Sequence, residues 1–155
     1  MFPDGFIIEK RIGCNVEAAS KKRVLEQLGL RLAETVPALT QDIVFDALLE
    51  RERLGSTGLG KGIALPHARM PQVAKAVAAF VQLPKGVDFD AIDGKPVDLA
   101  FAMLVPSKAT EEHLQLLAQL AKMFSDNTFC DALRKAKSAK ELMQLIEQRD
   151  KATDQ

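Results

Sequence analysis

Arg51-Glu52-Arg53-Leu54-Gly55-Ser56-Thr57-Gly58-Leu59-Gly60-Lys61-Gly62-Ile63-Ala64-Leu65-Pro66-His67-Ala68-Arg69 is the stretch on which the reading of this chain turns. It passes from a helical pattern through four glycines in eight residues into the apolar run Ile63-Ala64-Leu65 and then a proline-histidine pair. The apolar run reads as a short buried strand, and Pro66, which has no N–H for a ladder, predicts its end. His67 is therefore expected at a strand end, near a loop rich in backbone N–H groups and flanked by Arg51, Lys61 and Arg69. Such a loop can form a concave nest of amides that binds phosphate. Gly55 to Lys61 also fits the start of the nucleotide-binding pattern G-x-x-x-x-G-K, but Gly62 stands where a Mg²⁺-binding Ser or Thr belongs. That motif also follows a strand and opens a helix, whereas here a helical pattern precedes and a strand follows. Nucleotide binding by this loop is rejected on both counts.

Upstream, Thr40 caps a helix whose apolar stripe is Ile43, Val44, Ala47 and Leu48, with Asp42 in its first turn. Arg51 follows at the same spacing and should project from the core side beside the glycine loop. It is either an arginine snorkelling at a favourable helix end or a guanidinium whose planar fork faces an anion. Before this helix, Ser20 caps another, with Val24, Leu25, Leu28 and Leu32 at helical spacing and Lys21, Lys22 and Arg23 as a solvated face. Residues 1–14 show no decisive pattern.

Downstream, Ala76 to Leu83 reads as a buried strand, Pro84-Lys85-Gly86 as a turn and Asp93-Gly94 as a hairpin signal. Val97 to Val105 is the strongest strand and should lie mid-sheet with both faces covered. A long helix follows, capped by Ser107 or Thr110, with Leu114, Leu117, Ala118, Ala121 and Phe124 as its stripe. His113 falls in its first turn, where unpaired N–H groups and partial positive charge disfavour an imidazolium; an ordinary surface histidine is the plainer alternative. Asp126-Asn127 caps a short helix, Ser138-Ala139-Lys140-Glu141 is a capping box for the last one, and residues 149–155 read as a polar tail. Buried strands interleaved with amphipathic helices predict an α/β fold. The expectation is a layered single domain over residues 1–155, with a mixed β-sheet flanked by helices.

Twenty-one basic and twenty-one acidic residues leave no net charge, which argues against bulk binding to nucleic acid or an anionic membrane. The run Leu99 to Val105 is far too short to cross a bilayer, and the N-terminus lacks a secretory pattern. Cys14 and Cys130 have no metal-ligand spacing and read as reduced structural thiols, consistent with a cytoplasmic protein. There is no H-x-x-x-H, H-E-x-x-H or cysteine cluster for a metal, and no nucleophile elbow for a serine hydrolase. If Arg51, the amides of residues 56–60, His67 and His113 converge, the chemistry they allow is phosphoryl transfer on histidine. Neutral imidazole is a competent nucleophile near neutral pH, and the protein then need only position the group and offset its charge. Neither metal nor cofactor is required.

The stretch Arg51 to His67 resembles the active-site signature of enzyme IIA domains of the mannitol/fructose/nitrogen class of the bacterial phosphoenolpyruvate phosphotransferase system. Phe89-Asp90-Ala91-Ile92-Asp93-Gly94-Lys95-Pro96-Val97-Asp98-Leu99, and Leu104-Val105-Pro106 followed by His113-Leu114, are similar to its later blocks. The likeness covers roughly residues 15 to 148, with two departures: Lys61, where relatives often have Asn, and Ala68-Arg69, where Gly-Lys is frequent. The resemblance implies that His67 accepts a phosphoryl group from a histidine of an HPr-like carrier, with Arg51 and His113 beside it. Ser56, Thr57 and Gly58 are the expected phosphate pocket. The form of the loop and the lone domain resemble the nitrogen-regulatory branch, whose phosphorylation state is read by partner proteins. A fructose- or mannitol-type transport component is the alternative within the family, and a module that binds an anion or protein without covalent change is the alternative outside it.

Overall fold

The computed structural model describes residues 1–153. After a 3-10 turn at Glu9–Arg11 the elements run β1 (Ile12–Gly13), α1 (Lys21–Glu34), α2 (Gln41–Arg53), β2 (Gly58–Gly60), β3 (Ile63–Ala64) and β4 (His67–Met70). The long strands β5 (Val77–Val87) and β6 (Val97–Pro106) follow, then α3 (Thr110–Phe124), α4 (Asn127–Lys135) and α5 (Ala139–Thr153). The sheet order is β1-β5-β6-β3-β2, with β4 also beside β6. It is mixed: β5 and β6 are antiparallel, while β1 runs parallel to β5, and β3 and β4 run parallel to β6.

The two central strands sort their side chains by alternation, as strands must. Phe80, Leu99, Phe101, Met103 and Val105 face α3, α4 and α5, joining Leu116, Leu120, Phe124, Phe129 and Leu142. Ala79, Val81, Ala100, Ala102 and Leu104 face α1 and α2, where they meet Leu25, Leu28, Leu32, Val44 and Leu48. Small alanines on that face leave room for the leucines of the two helices. Val97 to Val105 is therefore central and, from Leu99 onward, covered on both sides, as the unbroken apolar run Leu99 to Val105 predicts.

Caps fall where the sequence puts them. Ser20, Thr40 and Asp126 accept from the backbone N–H of Arg23, Ile43 and Phe129, and Ser138 Oγ accepts from Glu141 N–H at 3.1 Å. The helix after β6 differs. Its cap position is Ala109, without a side-chain bond, and Thr110 is already helical.

Other expectations are corrected. Pro84-Lys85-Gly86 is no turn, since β5 continues through it with a shift of register between Gln82 and Val87. Residues 149–153 stay helical, and Asp150 is buried, accepting from Phe2 N–H and from Gln119 Nε2; residues 154 and 155 of the expected tail lie outside the described residues. The illegible N-terminus is built in by Phe6, fully buried, and by Arg11. The Arg11 guanidinium donates to the carbonyls of Gly5, Phe6 and Ala78 and to Thr35 Oγ1. Cys130 is buried, which pushes its thiol up to about 11, and Cys14 is half-buried and also raised by burial, so both stay protonated thiols.

Pro66 interrupts a strand but does not end it. Ile63 and Ala64 pair with Leu99 and Ala100, and His67 pairs with Met103. The register is the same on both sides, so β3 and β4 are one line of chain broken only where proline has no N–H to donate. His67 thus opens a second strand segment and is held by its ladder.

Candidate phosphoryl-transfer site

An open cleft of about 620 Å³ lies between the C-terminal turns of α2, the start of β4 and the first turns of α3. Arg51, His67, Arg69, Thr110 and His113 line it, together with Leu54 and Leu114. Three of the residues expected at the site, Arg51, His67 and His113, therefore meet, although they come from separate elements.

His67 is half-buried, and its Nδ1 is 2.8 Å from the carbonyl of Leu65. A carbonyl can only accept, so Nδ1 carries the proton and Nε2 keeps its lone pair. Among the described residues Nε2 has no hydrogen-bond partner. The His113 ring stands edge-on to it, with centroids 5.1 Å apart and planes at 71°. His113 is only 8% exposed, and its buried Nε2 has no partner among the described residues. An unpaired buried polar atom is costly, and at the rim of a polar cleft it marks a group kept ready for a ligand.

Both imidazoles are held below their ordinary pKa. For His67 the main cause is burial; the Leu65 carbonyl and Glu52 work against it, and Arg51 and Arg69 add to it. For His113 burial again comes first, followed by His67, Arg69 and Arg51. Neutral rings in a cleft with two guanidinium groups suit an anionic ligand.

The glycine loop does something else than expected. Ser56, Thr57 and Gly58 do not line the cleft. Ser56 Oγ donates to the Phe89 carbonyl and accepts from Gly58 N–H. Thr57 gives both its N–H and its hydroxyl to the Glu52 carboxylate. These donors are engaged by Phe89, by Glu52 and within the loop itself, which folds as the β2–β3 hairpin rather than a nest. Lys61 is not beside His67 either. It sits at the hairpin turn with φ +58, its N–H on Asp93 and its carbonyl on Arg134. Asn tolerates that left-handed conformation better than most residues, lysine included. Gly62 beside it has φ +85, and a Cβ would meet Arg134 Nη2 at 2.7 Å.

Arg51 flanks the buried stripe of α2, which runs Val44, Leu48, Glu52, and does not extend it. It opens to the cleft and donates to the Gly55 carbonyl at 3.0 Å. Glu52, overlooked in the sequence, is the residue beneath the loop; it pairs with Lys21 Nζ at 2.9 Å. Lys21 is accordingly no part of a solvated face: it also reaches Asp90 and sits 5.0 Å over the Phe89 ring. The spacing of Val44, Leu48 and Glu52 at steps of four was the available signal. The stripe of α3 is likewise turned: His113, Leu116, Leu120, Met123 and Phe124 are buried, while Leu114 is 64% exposed.

Comparison with known proteins bears on what this cleft belongs to. The family model for the EIIA 2 component of the phosphoenolpyruvate-dependent sugar phosphotransferase system matches residues 6–149. The chain belongs to that family. This EIIA domain is 48% identical over 132 residues to the nitrogen regulatory protein of Pseudomonas aeruginosa, covering 85% of this chain and 86% of that one. The crystal structure of nitrogen regulatory protein IIA-Ntr from Neisseria meningitidis superposes with a TM-score of 0.84 at 43% identity, over 90% of this chain and 95% of that one. IIA mannitol from Escherichia coli has the same fold, with a TM-score of 0.76 at 26% identity over 90% and 97% of the two chains. The expected EIIA fold, a mixed sheet between helices, is therefore the observed one. No helix of this EIIA domain, among the described residues, is long and apolar enough to cross a membrane.

Proposed function

We propose that this EIIA domain takes a phosphoryl group onto Nε2 of His67 from a phosphohistidine of an HPr-like carrier protein in the cytoplasm. Its phosphorylation state is then the signal that regulatory partner proteins read, in keeping with its likeness to nitrogen regulatory proteins. One observation carries the reading. A fixed imidazole with an unengaged Nε2 faces, at 5.1 Å, a second imidazole whose buried Nε2 has no partner.

In the transfer the Nε2 lone pair forms the new N–P bond as the donor's N–P bond breaks, and that electron pair returns to the donor nitrogen. Nδ1 keeps its proton, and the Leu65 carbonyl steadies the positive charge that the doubly substituted ring acquires. The task left to the protein is to place the group and balance the charge on its three oxygens, which Arg51 and His113 do. No metal or cofactor enters. A protein donor fits the rim: Leu54 is 84% and Leu114 64% exposed, both on the cleft, and apolar surface of this kind beside a reactive group suits a docking partner.

The test is incubation with phosphoenolpyruvate and the two upstream proteins of the system. One phosphoryl group per chain is expected, acid-labile and alkali-stable, on the peptide containing His67. A wild-type chain that takes no label while still binding a partner overturns the reading in favour of a non-covalent module.

Arg51→Ala should slow transfer by about 10²-fold, the scale of losing one charge-stabilising donor. Its stability should change by less than about 1 kcal/mol, because only one exposed bond is lost. Normal transfer with a large fall in stability would make Arg51 a structural residue.

The lowered imidazole pKa values also set the pH response. Between 6.5 and the folded-state values the unfolded chain binds more protons than the folded one, so stability rises with pH. Unfolding free energy should therefore fall as pH drops below about 6.5 and level off once both folded rings are protonated. In an NMR titration both rings should protonate below that value; a midpoint above it for His67 would contradict the role of burial.

A further inference from the structure

Arg69 stands where a second guanidinium would be most useful, and nothing in the motif around His67 assigns it a task. Residues 67 and 69 are two apart on β4 and so share a face, while Ala68 and Met70 between and beyond them turn into the core. Arg69 Nη1 donates to Thr110 Oγ1 at 3.3 Å. Thr110 is the first residue of α3, one turn before His113, and both it and Arg69 line the His67 cleft. The hydroxyl thus ties a long, exposed side chain to the wall opposite α2, from which Arg51 reaches in.

The charge of Arg69 is also uncompensated. Among the described residues Arg23, Arg53, Arg134 and Arg149 each have a carboxylate partner, whereas Arg11, Arg31, Arg51 and Arg69 have none, and of these only Arg51 and Arg69 line the cleft. Glu50, the carboxylate on the cleft, is paired with Arg53. Arg69 is among the charges that lower both imidazoles, behind burial in each case. One guanidinium fork binds two oxygens, and a transferring phosphoryl group spreads charge over three.

We propose that Arg69, held by Thr110, is a second catalytic clamp on the phosphoryl group at His67, acting opposite Arg51. The inference rests on phosphoryl transfer to His67, and the experiment separates the two. Labelling is followed by rapid quench at saturating phosphorylated carrier, and again with phosphoramidate, a small N–P donor that needs no docking surface. Wild type, Arg69→Gln, Arg69→Lys and Thr110→Val are compared, with melting curves for each.

Arg69→Gln should be slower by about 10- to 10²-fold with both donors. Arg69→Lys should recover part of the rate, and Thr110→Val should lose less than Arg69→Gln, with melting temperatures near wild type throughout. Arg69→Gln labelled at the wild-type rate overturns the clamp and leaves His67 in place. A loss with the carrier alone, absent with phosphoramidate, also overturns it and makes Arg69 a docking residue. A wild-type chain that takes no label from either donor removes transfer to His67, and the clamp with it.

Discussion

His67→Ala should take no phosphoryl label, a loss on the order of 10⁴-fold or more, as expected when a covalent nucleophile is removed. The alternative acceptor is His113, the only other histidine in the chain. Its Nε2 is buried without a partner and its ring belongs to the wall of α3, so it can donate to a bound phosphoryl group but is poorly placed to meet a protein donor. The His67→Ala chain should stay folded, because the ring is half-buried and makes one hydrogen bond, to Leu65, worth about 1 kcal/mol. His113→Ala should still be labelled, more slowly. Label appearing in His67→Ala at the wild-type rate would mean that the acceptor lies elsewhere.

Glu52→Ala should cost the fold about 2–4 kcal/mol, the largest stability loss expected from any polar change near the cleft. The carboxylate is buried and serves three donors: Lys21 Nζ, Thr57 N–H and the Thr57 hydroxyl. Removing it strands the Thr57 groups, which are buried, and breaks the link from α1 through α2 to the glycine hairpin. Urea unfolding measures the loss. Replacing both charges, as in Lys21→Met with Glu52→Leu, should restore part of it, since apolar replacement of a whole buried pair is often tolerated where loss of one partner is not. Because the hairpin does not line the cleft, molecules of Glu52→Ala that remain folded should still reach one label per chain. A stability loss below about 0.5 kcal/mol would show that solvent replaces the carboxylate, as at an ordinary surface pair.

Adjacent residues at the end of α2 thus take opposite parts, Arg51 facing the cleft and Glu52 the interior. Their difference was only partly legible. The stripe Ile43, Val44, Ala47, Leu48 points to either residue, since a helix places positions three and four apart on the same face. The packing of α1 beside α2 selects Glu52, by bringing Lys21 to it. In α3 the apolar residues from Leu114 to Phe124 form two overlapping stripes, and which one faces inward is decided by where β6 delivers the helix. The result leaves Leu114 on the rim and turns His113 toward His67. The N-terminal segment was illegible for another reason: Arg11 looks like a surface charge until the carbonyls of Gly5, Phe6 and Ala78 converge on it.

From the sequence alone come the alternation of buried strands with amphipathic helices, the caps of α1, α2, α4 and α5, the central place of Val97 to Val105, and His67, Arg51 and His113 as candidates for a single site. These rest on local periodicity, on capping chemistry or on residue type, and each is written within a few turns of chain. Tertiary structure alone decided that the glycine loop closes on itself as a hairpin, that Pro66 breaks a strand without ending it, and that Glu52, Lys21, Arg69 and Thr110 belong around the cleft. Of these residues only Arg69 and Thr110 line the cleft, while Glu52 and Lys21 pair beneath the hairpin; each outcome depends on which donors meet which acceptors across distant segments. A hydrogen bond or an ion pair of that kind leaves no periodic trace in the sequence that makes it.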